Sequence, residues 1–501
     1  MNAPVAITPE VLEKYPLAPG TRAFLQGRLG HFVDGEDRDS SSGQTMVVYD
    51  PSSGAAFARV AAGDATDVDR AAQAARNAFA DGRWRDVPPH EKERILRRLA
   101  QLIQDNRAVF KDLDALEGGV TGQHSEFSIQ YATDITNYYA GWPTKIQGGM
   151  PPARSELVVM EVREPIGVCG VIFPWNGPSC VPLGILPPLA CGNSVVFKPA
   201  EQTPLAALFF ARLCQEAGIP DGVVNVVQGF GATAGAAVVA HPQIDSISFT
   251  GSVETGRIIQ AGAATTLKRV SLELGGKSPQ IIFGDADLDR AVTTAAGSVF
   301  GHSGQICVAG SRIMVERHIY DEVVDRLKDA AQALRVGSAF DGSTTMGPLI
   351  SQQQLDRVSR YVGVGKADGA QLVAGGERVD SCGYFHQPTI FADVTNDMKI
   401  AREEIFGPIA SVIPFDDDEQ AIAIANDSDY ALAAGVWTRD LGRAHRAMRS
   451  IRTGTVWVNT YLQCDACVSY GGLKISGHGR ALGLASIEEF TQVRSFWIDV
   501  T

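Results

Sequence analysis

Three side chains in this sequence have the type and setting for covalent carbonyl chemistry. Cys307 stands in Ser303-Gly304-Gln305-Ile306-Cys307-Val308-Ala309-Gly310. Glycines on both sides allow a sharply turned backbone that a ligand can approach closely. Cysteine is also the best nucleophile near neutral pH, because a small thiolate fraction already exists. A cysteine alone is more often structural, so this reading needs partners. Glu273, in Leu272-Glu273-Leu274-Gly275-Gly276-Lys277, ends an apolar run beside a glycine pair. Partial desolvation there would raise its pKa and make it a usable base; the bland alternative is an ion pair with Lys277. Asn176 sits in Phe173-Pro174-Trp175-Asn176-Gly177-Pro178. Two prolines and a glycine stiffen that loop, and a fixed side-chain amide can donate to a developing oxyanion. A simple turn asparagine is the competing reading.

A second group of residues suits a nucleotide. Gly229-Phe230-Gly231 and Gly251-Ser252 each join a strand to a helix, and glycine there bares the helix N-terminal amides that favour a phosphate. No G-x-G-x-x-G fingerprint follows the first strand of a βαβ unit. Lys198 and Glu201 follow the strand ending at Phe197, on the carboxyl edge where nucleotides bind in open α/β sheets. A carboxylate there can take both ribose hydroxyls and would repel a 2′-phosphate, which favours NAD over NADP; a solvated surface glutamate is the alternative. Cys464-Asp465-Ala466-Cys467 spaces two thiols as in a redox pair or half a zinc site. No second pair stands at suitable spacing, so no metal is expected.

These side chains need rigid elements to hold them. Residues 1 to about 40 read as irregular. A helix opens at Thr66 with Asp69 three residues on, in the manner of a capping box, and a second follows Pro88-Pro89 with Ile95, Leu96, Leu99, Leu102 and Ile103 at helical spacing. From about 165 the pattern alternates: strands at Val195–Phe197, Val223–Val227, Ile247–Phe249 and Val270–Leu274, with helices at Leu205–Ala217, Ala236–Ala240 and Val253–Ala264. A second series has strands at Gln280–Phe283, Arg312–Val315, Ser411–Pro414, Gly435–Thr438 and Thr455–Val458, and helices over 287–299, 320–335, 351–366, 418–426 and 440–450. Such alternation predicts two successive open parallel-sheet α/β domains, meeting near the glycine pair Gly275-Gly276. The segment 126–162 and the aromatic tail from Ser486 to Val500 fit neither series, and the tail either packs on its own subunit or needs a partner.

Composition narrows the function classes. Over 501 residues, 44 Lys and Arg against 57 Asp and Glu leave a net charge of −13. That balance argues against nucleic acid or an anionic membrane as the main partner. No apolar run is long enough to span a bilayer, and the first twenty residues do not read as a signal peptide. The 8 cysteines are too sparse for a disulfide framework, which fits a reducing compartment and a cytoplasmic enzyme.

Taken in order, these motifs resemble the aldehyde dehydrogenase superfamily over nearly the whole chain, from Phe32-Val33-Asp34-Gly35-Glu36 onward. The Glu273 and Cys307 segments look like that family's glutamate and cysteine signatures, and Pro174-Trp175-Asn176 resembles its asparagine loop. Phe197 to Pro204, Phe249 to Ser252, Glu404-Ile405-Phe406-Gly407-Pro408 and Gly471 to Gly477 match further family motifs. The resemblance implies an NAD-binding domain (1–140 and 163–274), a catalytic domain (275–476) and a β arm (141–162 and 485–501) that extends a neighbour's sheet, hence a homodimer or a homotetramer built as a dimer of dimers. It implies that Cys307 is the nucleophile, Asn176 the oxyanion donor and Glu273 the base that hydrolyses a thioester. It implies NAD contacts at Ile172, Pro174, Trp175, Lys198, Glu201, Gly231, Gly251, Ser252, Leu274, Glu404 and Phe406. Where many relatives carry an aromatic residue, this chain has Gly177 and Cys464. A wider, less aromatic pocket flanked by Gly177, Ile306, Val308 and Cys464 is expected, suited to a bulky hydrophobic or ring-bearing aldehyde. His302 is read as a helix cap or surface side chain, with tuning of the thiol as the alternative. A thiol hydrolase using Cys307 with a histidine, or a non-catalytic relative, are the other classes, and intact nucleotide motifs and an intact Cys307–Glu273 pair weigh against them.

Overall fold

The computed structural model describes residues 10–379 and 382–501. Two sheets dominate it. The first has eight strands, in the order Glu36–Arg38, His31–Val33, Val224–Val226, Ser194–Lys198, Val168–Ile172, Ser246–Thr250, Arg269–Glu273, Gly477–His478. Its five inner strands run parallel, and the short strands at both edges run antiparallel. Val168–Ile172 is central, and the chain leaves it first towards one edge and then returns to pair Ser246–Thr250 on its other side. That reversal opens a crevice beyond the carboxyl ends of these two strands, the place where open α/β sheets take ligands. The central strands Val168–Ile172 and Ser194–Lys198 are buried on both faces and rich in Val, Ile and Phe, as helix-covered parallel strands are.

The second sheet has seven strands, in the order Gln371–Ala374, Thr389–Ala392, Ile409–Phe415, Arg312–Glu316, Pro279–Ile282, Ala433–Trp437, Thr455–Val458. All are parallel except Gln371–Ala374. The two sheets are joined by the Leu274–Ser278 stretch and locked again where Gly477–His478 crosses back to pair with Leu272 and Glu273. Leu274 N donates to Ser476 O at 3.0 Å in the same seam. The tail strand Thr491–Asp499 pairs antiparallel with Leu157–Pro165 as a separate ribbon and exposes Val493, Phe496, Trp497 and Ile498.

Several elements differ from the sequence expectation. The stretch 10–40 is ordered: it holds the helix Pro19–Gln26 and the edge strands His31–Val33 and Glu36–Arg38. Three-residue strands carry too little periodicity to be seen before pairing. Residues 1–9 lie outside the described residues. The capping box sits two residues earlier than read, with Asp64 as cap and Asp67 as its reciprocal partner. Asp64 accepts from Thr66 N at 2.8 Å, and Asp67 accepts from Asp64 N at 3.2 Å. The unplaced segment 126–162 holds most of the helix Gly122–Ala140 and the first part of the ribbon strand Leu157–Pro165.

The helix Leu205–Ala217 follows the strand Ser194–Lys198 and starts without a side-chain cap of its own. Buried Glu117, from the helix Arg107–Gly118, supplies one, accepting from Leu205 N at 2.7 Å and Ala206 N at 2.8 Å. Glu117→Ala orphans two buried donors, each worth about 1–3 kcal/mol. Denaturant unfolding of this variant is expected to show stability lower by roughly 2–6 kcal/mol; a midpoint unchanged from wild type would refute the capping role.

Candidate active site

A single cleft of about 1670 Å³ lies between the carboxyl ends of the two sheets. It gathers the catalytic candidates Asn176, Glu273 and Cys307, the pocket candidates Gly177, Ile306, Val308 and Cys464, and the cofactor candidates Ile172, Pro174, Trp175, Gly251, Ser252, Leu274, Glu404 and Phe406. Lys198, Glu201 and Gly231 are not among the lining residues. Lys198 is buried with its Nζ 3.4 Å from the Glu201 carboxylate, and Gly231 opens the turn leading into Ala236–Ala240.

Cys307 follows the helix Leu288–Phe300 through a strained turn. His302, Ser303 and Gly304 all have left-handed backbone angles, a conformation that costs a non-glycine residue about 1–2 kcal/mol. Hydrogen bonds over-determine it. Ser303 Oγ donates to Gly347 O at 2.6 Å, Gln305 Nε2 donates to His302 O at 3.2 Å, and Gln305 Oε1 accepts from Ile350 N at 2.9 Å. At Gly304 a Cβ would lie 2.2 Å from Gly407 O, so only glycine fits the turn. The turn brings Gln305 O to 2.9 Å from the Asn176 amide, which donates to it, and the two motifs are thereby fixed to each other.

Burial sets the electrostatics. Taking the Cys307 thiol out of water pushes its pKa up to about 11, offset in part by a hydrogen bond with Tyr470. Glu273 ends the inner strand Arg269–Glu273, between Ser246–Thr250 and Gly477–His478, and its buried carboxylate makes no hydrogen bond of good geometry. Burial raises its pKa to about 8, while the Arg480 guanidinium and the Ala481 amide pull weakly the other way. Glu404 accepts from Gly276 N at 3.0 Å, and burial lifts it to about 7. A Cβ on Gly275 would fall 2.0 Å from the Glu404 carboxylate. The glycine pair therefore admits Glu404 to the seam.

Phe406 is another left-handed residue. Gln354 donates to Phe406 O at 2.7 Å and to Ile405 O at 3.1 Å, and Arg357 donates to Glu404 O at 2.6 Å. The ring of Phe406 meets Trp175 edge-on at 5.2 Å, which ties the Glu404 segment to the asparagine loop.

The residues missed from sequence come from distant elements. Tyr470 reaches Cys307 across 163 positions. The helix Gly122–Ala140 contributes His124, Phe127 and Tyr131 to the cleft. His302 is neither a surface residue nor a plain cap: it is buried, lines the cleft and stacks on His124 at 5.6 Å. Burial and the neighbouring imidazole push its pKa down to about 3, so it stays neutral. A side chain at Gly177 would meet only Cys180, at an ordinary 3.4 Å, and space is left there. Cys464 and Cys467 are exposed free thiols. Among the described residues no cluster of three or more potential metal ligands occurs, and no helix is long and apolar enough to cross a membrane.

The family model described as the aldehyde dehydrogenase family matches residues 38–496. An aldehyde dehydrogenase from Aspergillus niger is 46% identical over 469 residues, covering 93% of this chain and 94% of that one. Human retinal dehydrogenase 2 is 44% identical, covering 94% and 91%. The NAD+ complex of an aldehyde dehydrogenase from Bacillus cereus superposes with a TM-score of 0.96 at 42% identity, over 97% of this chain and 100% of that one. The chain belongs to the aldehyde dehydrogenase family, and it is an oxidoreductase acting on aldehydes.

The raised Glu273 pKa makes a stability prediction. A carboxyl whose folded pKa lies above its unfolded value favours the fold only while protonated, so its contribution is full below the unfolded value near 4.5 and lost as pH rises through about 8. Glu273→Gln removes that pH-dependent loss. Its stability advantage over wild type is expected to grow from pH 5 to pH 8 and reach about 3–5 kcal/mol; parallel stability curves for the two proteins would contradict the burial argument.

Proposed function

We propose that this protein is an NAD-dependent aldehyde dehydrogenase of the hydrolytic type, which converts a bulky hydrophobic or ring-bearing aldehyde to its carboxylic acid through a thiohemiacetal and a thioester on Cys307. The observation that carries the reading is the convergence of Cys307, the Asn176 amide and the buried, unpaired Glu273 carboxylate on one cleft.

The residues at the crevice fit NAD. A Cβ on Gly231 would meet nothing within 4 Å, while one on Gly251 would strike the Phe249 ring at 2.4 Å. Both turns thus offer backbone to a pyrophosphate. Ser252 caps the helix Val253–Ala263, accepting from Thr255 N, and leaves first-turn amides for an anion. Lys198 and Glu201 form a donor–acceptor pair for the adenosine ribose, and the Glu201 carboxylate would repel a 2′-phosphate. Ile172, Pro174, Trp175 and Leu274 wall the site, and Glu404 and Phe406 hold its nicotinamide end. NAD, when bound, supplies the two-electron acceptor for the hydride of the substrate carbon.

The remaining chemistry is the chain's own. The Cys307 thiolate attacks the aldehyde carbon, forming a C–S bond and moving the carbonyl electron pair onto oxygen. The Asn176 amide and the Cys307 backbone N–H hold that oxyanion, each donor being worth about 2.7–4 kcal/mol. Once the carbon is oxidised, Glu273 takes a proton from a water whose oxygen attacks the acyl carbon. The C–S bond then breaks and the thiolate leaves. A base with its pKa near the working pH suits this step. A route that passes the acyl group to coenzyme A has no need of such a base.

The substrate reading rests on shape. Gly177, Ile306, Val308 and Cys464 leave the pocket wide, and its apolar walls are completed by Phe127, Tyr131 and Trp457. One relative is named for retinal, itself a bulky apolar aldehyde. The stretches 1–140 and 163–274 form the NAD domain, 275–476 the catalytic domain, and 141–162 with 485–501 the arm. The exposed Phe496 and Trp497 of the tail fit pairing with a second copy in a homodimer or homotetramer. The enzyme works in the cytoplasm.

NADH formation over a series of aliphatic, aromatic and terpenoid aldehydes tests this reading. Wild type is expected to prefer the larger members, Cys307→Ala to form no NADH, and Glu273→Gln to give one rapid turnover and then slow by about 10²–10⁴-fold. Turnover surviving in Cys307→Ala would overturn the mechanism, and a clear preference for acetaldehyde would overturn the substrate class.

A further inference from the structure

Tyr470 has no role in the reaction above, yet its hydroxyl lies 3.2 Å from Cys307 Sγ. The sulfur is the only hydrogen-bond partner of that hydroxyl among the described residues. The contact is held by the surrounding structure. Tyr470 N donates to Ala481 O at 2.7 Å, and Ala481 N donates to Tyr470 O at 2.8 Å, which pins the residue in an isolated bridge beside Arg480. Its ring packs on the small cluster formed by Val308, Leu432, Trp457 and Tyr461, which also touches Cys307. The hydroxyl therefore has little freedom to turn elsewhere.

The direction of the bond follows from the two groups. A thiol is a weak donor and a phenol a good one. Burial drives the phenol well above its ordinary range, so it keeps its proton at any working pH. The same burial opposes ionisation of the thiol. A thiolate at this position needs a donor that does not ionise, and the phenol is one.

We propose that Tyr470 is a catalytic residue whose hydroxyl donates a hydrogen bond to the Cys307 thiolate. The proposal rests on Cys307 being the nucleophile. It carries a two-sided consequence. Stabilising the thiolate raises its fraction, but the intrinsic nucleophilicity of each thiolate falls with its basicity, with a slope of about 0.4–0.5. Tyr470 thus trades reactivity per thiolate for population of thiolate, and the net gain exists only below the thiol pKa.

The test is the pH dependence of iodoacetamide alkylation at Cys307 in the full-length protein, comparing wild type with Tyr470→Phe. The apparent pKa is expected to rise by about one unit in the variant, the usual strength of a hydrogen bond to a charged group. The rate below that pKa should fall about threefold, while the high-pH plateau should rise about threefold. A packing change alone would move both limbs in one direction. Superimposable profiles, or limbs that shift together, would overturn the proposal. A second measurement needs no Tyr470 variant: the near-ultraviolet tyrosine difference spectrum across the Cys307 titration in wild type, with Cys307→Ala as blank. A tyrosine band that follows the thiolate is expected, and its absence sinks the proposal. NADH formation by Cys307→Ala would remove the nucleophile reading and this proposal together, whereas an inactive Cys307→Ala with unchanged Tyr470→Phe profiles would remove this proposal alone.

Discussion

Desolvation at the seam between two parallel sheets is the constraint on which this molecule depends. Glu273, Glu404 and Cys307 are all withdrawn from water there, and burial is the largest influence on each. An isolated ionised group would be too costly in such a place, so each stays near or above neutrality in pKa and keeps a proton to exchange. The same dryness strengthens every remaining dipole in the cleft, including the Asn176 amide. The seam thereby stores reactivity at the expense of stability.

Holding reactive groups in a dry cleft also requires backbone that ordinary packing would not choose. Left-handed residues occur on both sides of the cleft, at His302 and Ser303 before the nucleophile and at Phe406 beside Glu404. Each is clamped by side chains that are not themselves reactive: Gln305 on one side, Gln354 and Arg357 on the other. Gly275 and Gly304 supply the close approaches that no side chain would permit. Strain of this kind persists only where surrounding bonds over-determine it.

The alternating strands and helices after residue 165 were legible because buried parallel strands are short apolar runs with helices between them. The helices Leu205–Ala217 and Asp418–Asn426 fall where periodicity puts them. The edge strands His31–Val33 and Glu36–Arg38 were not legible, since three residues have no period and gain their conformation from pairing with Val224–Val226 and each other. The site divides in the same way. Cys307, Glu273 and Asn176 stand in locally unusual sequence, with glycine or proline beside them. His124 and Tyr131 stand in ordinary sequence, and only the fold brings them to the cleft; Tyr470 directly precedes the Gly471-Gly472 pair, which marks the segment but not its reach to Cys307. His302 was misplaced because a polar residue after a helix usually faces water; here it is buried and stacks on His124.

The strand that closes the sheet beside Glu273 is made long after Glu273 itself. Gly477 and His478 pair with Glu273 and Leu272, a separation of roughly 200 residues, and contacts of such range are slow to form. During synthesis the first sheet therefore has an open edge at the future base until the whole second sheet has emerged. Unpaired edges invite wrong partners, and a chain halted before residue 477 would present this one. The Gly477–His478 strand thus acts as a proofreading step in assembly: the base acquires its dry environment only when both sheets are present and correctly joined.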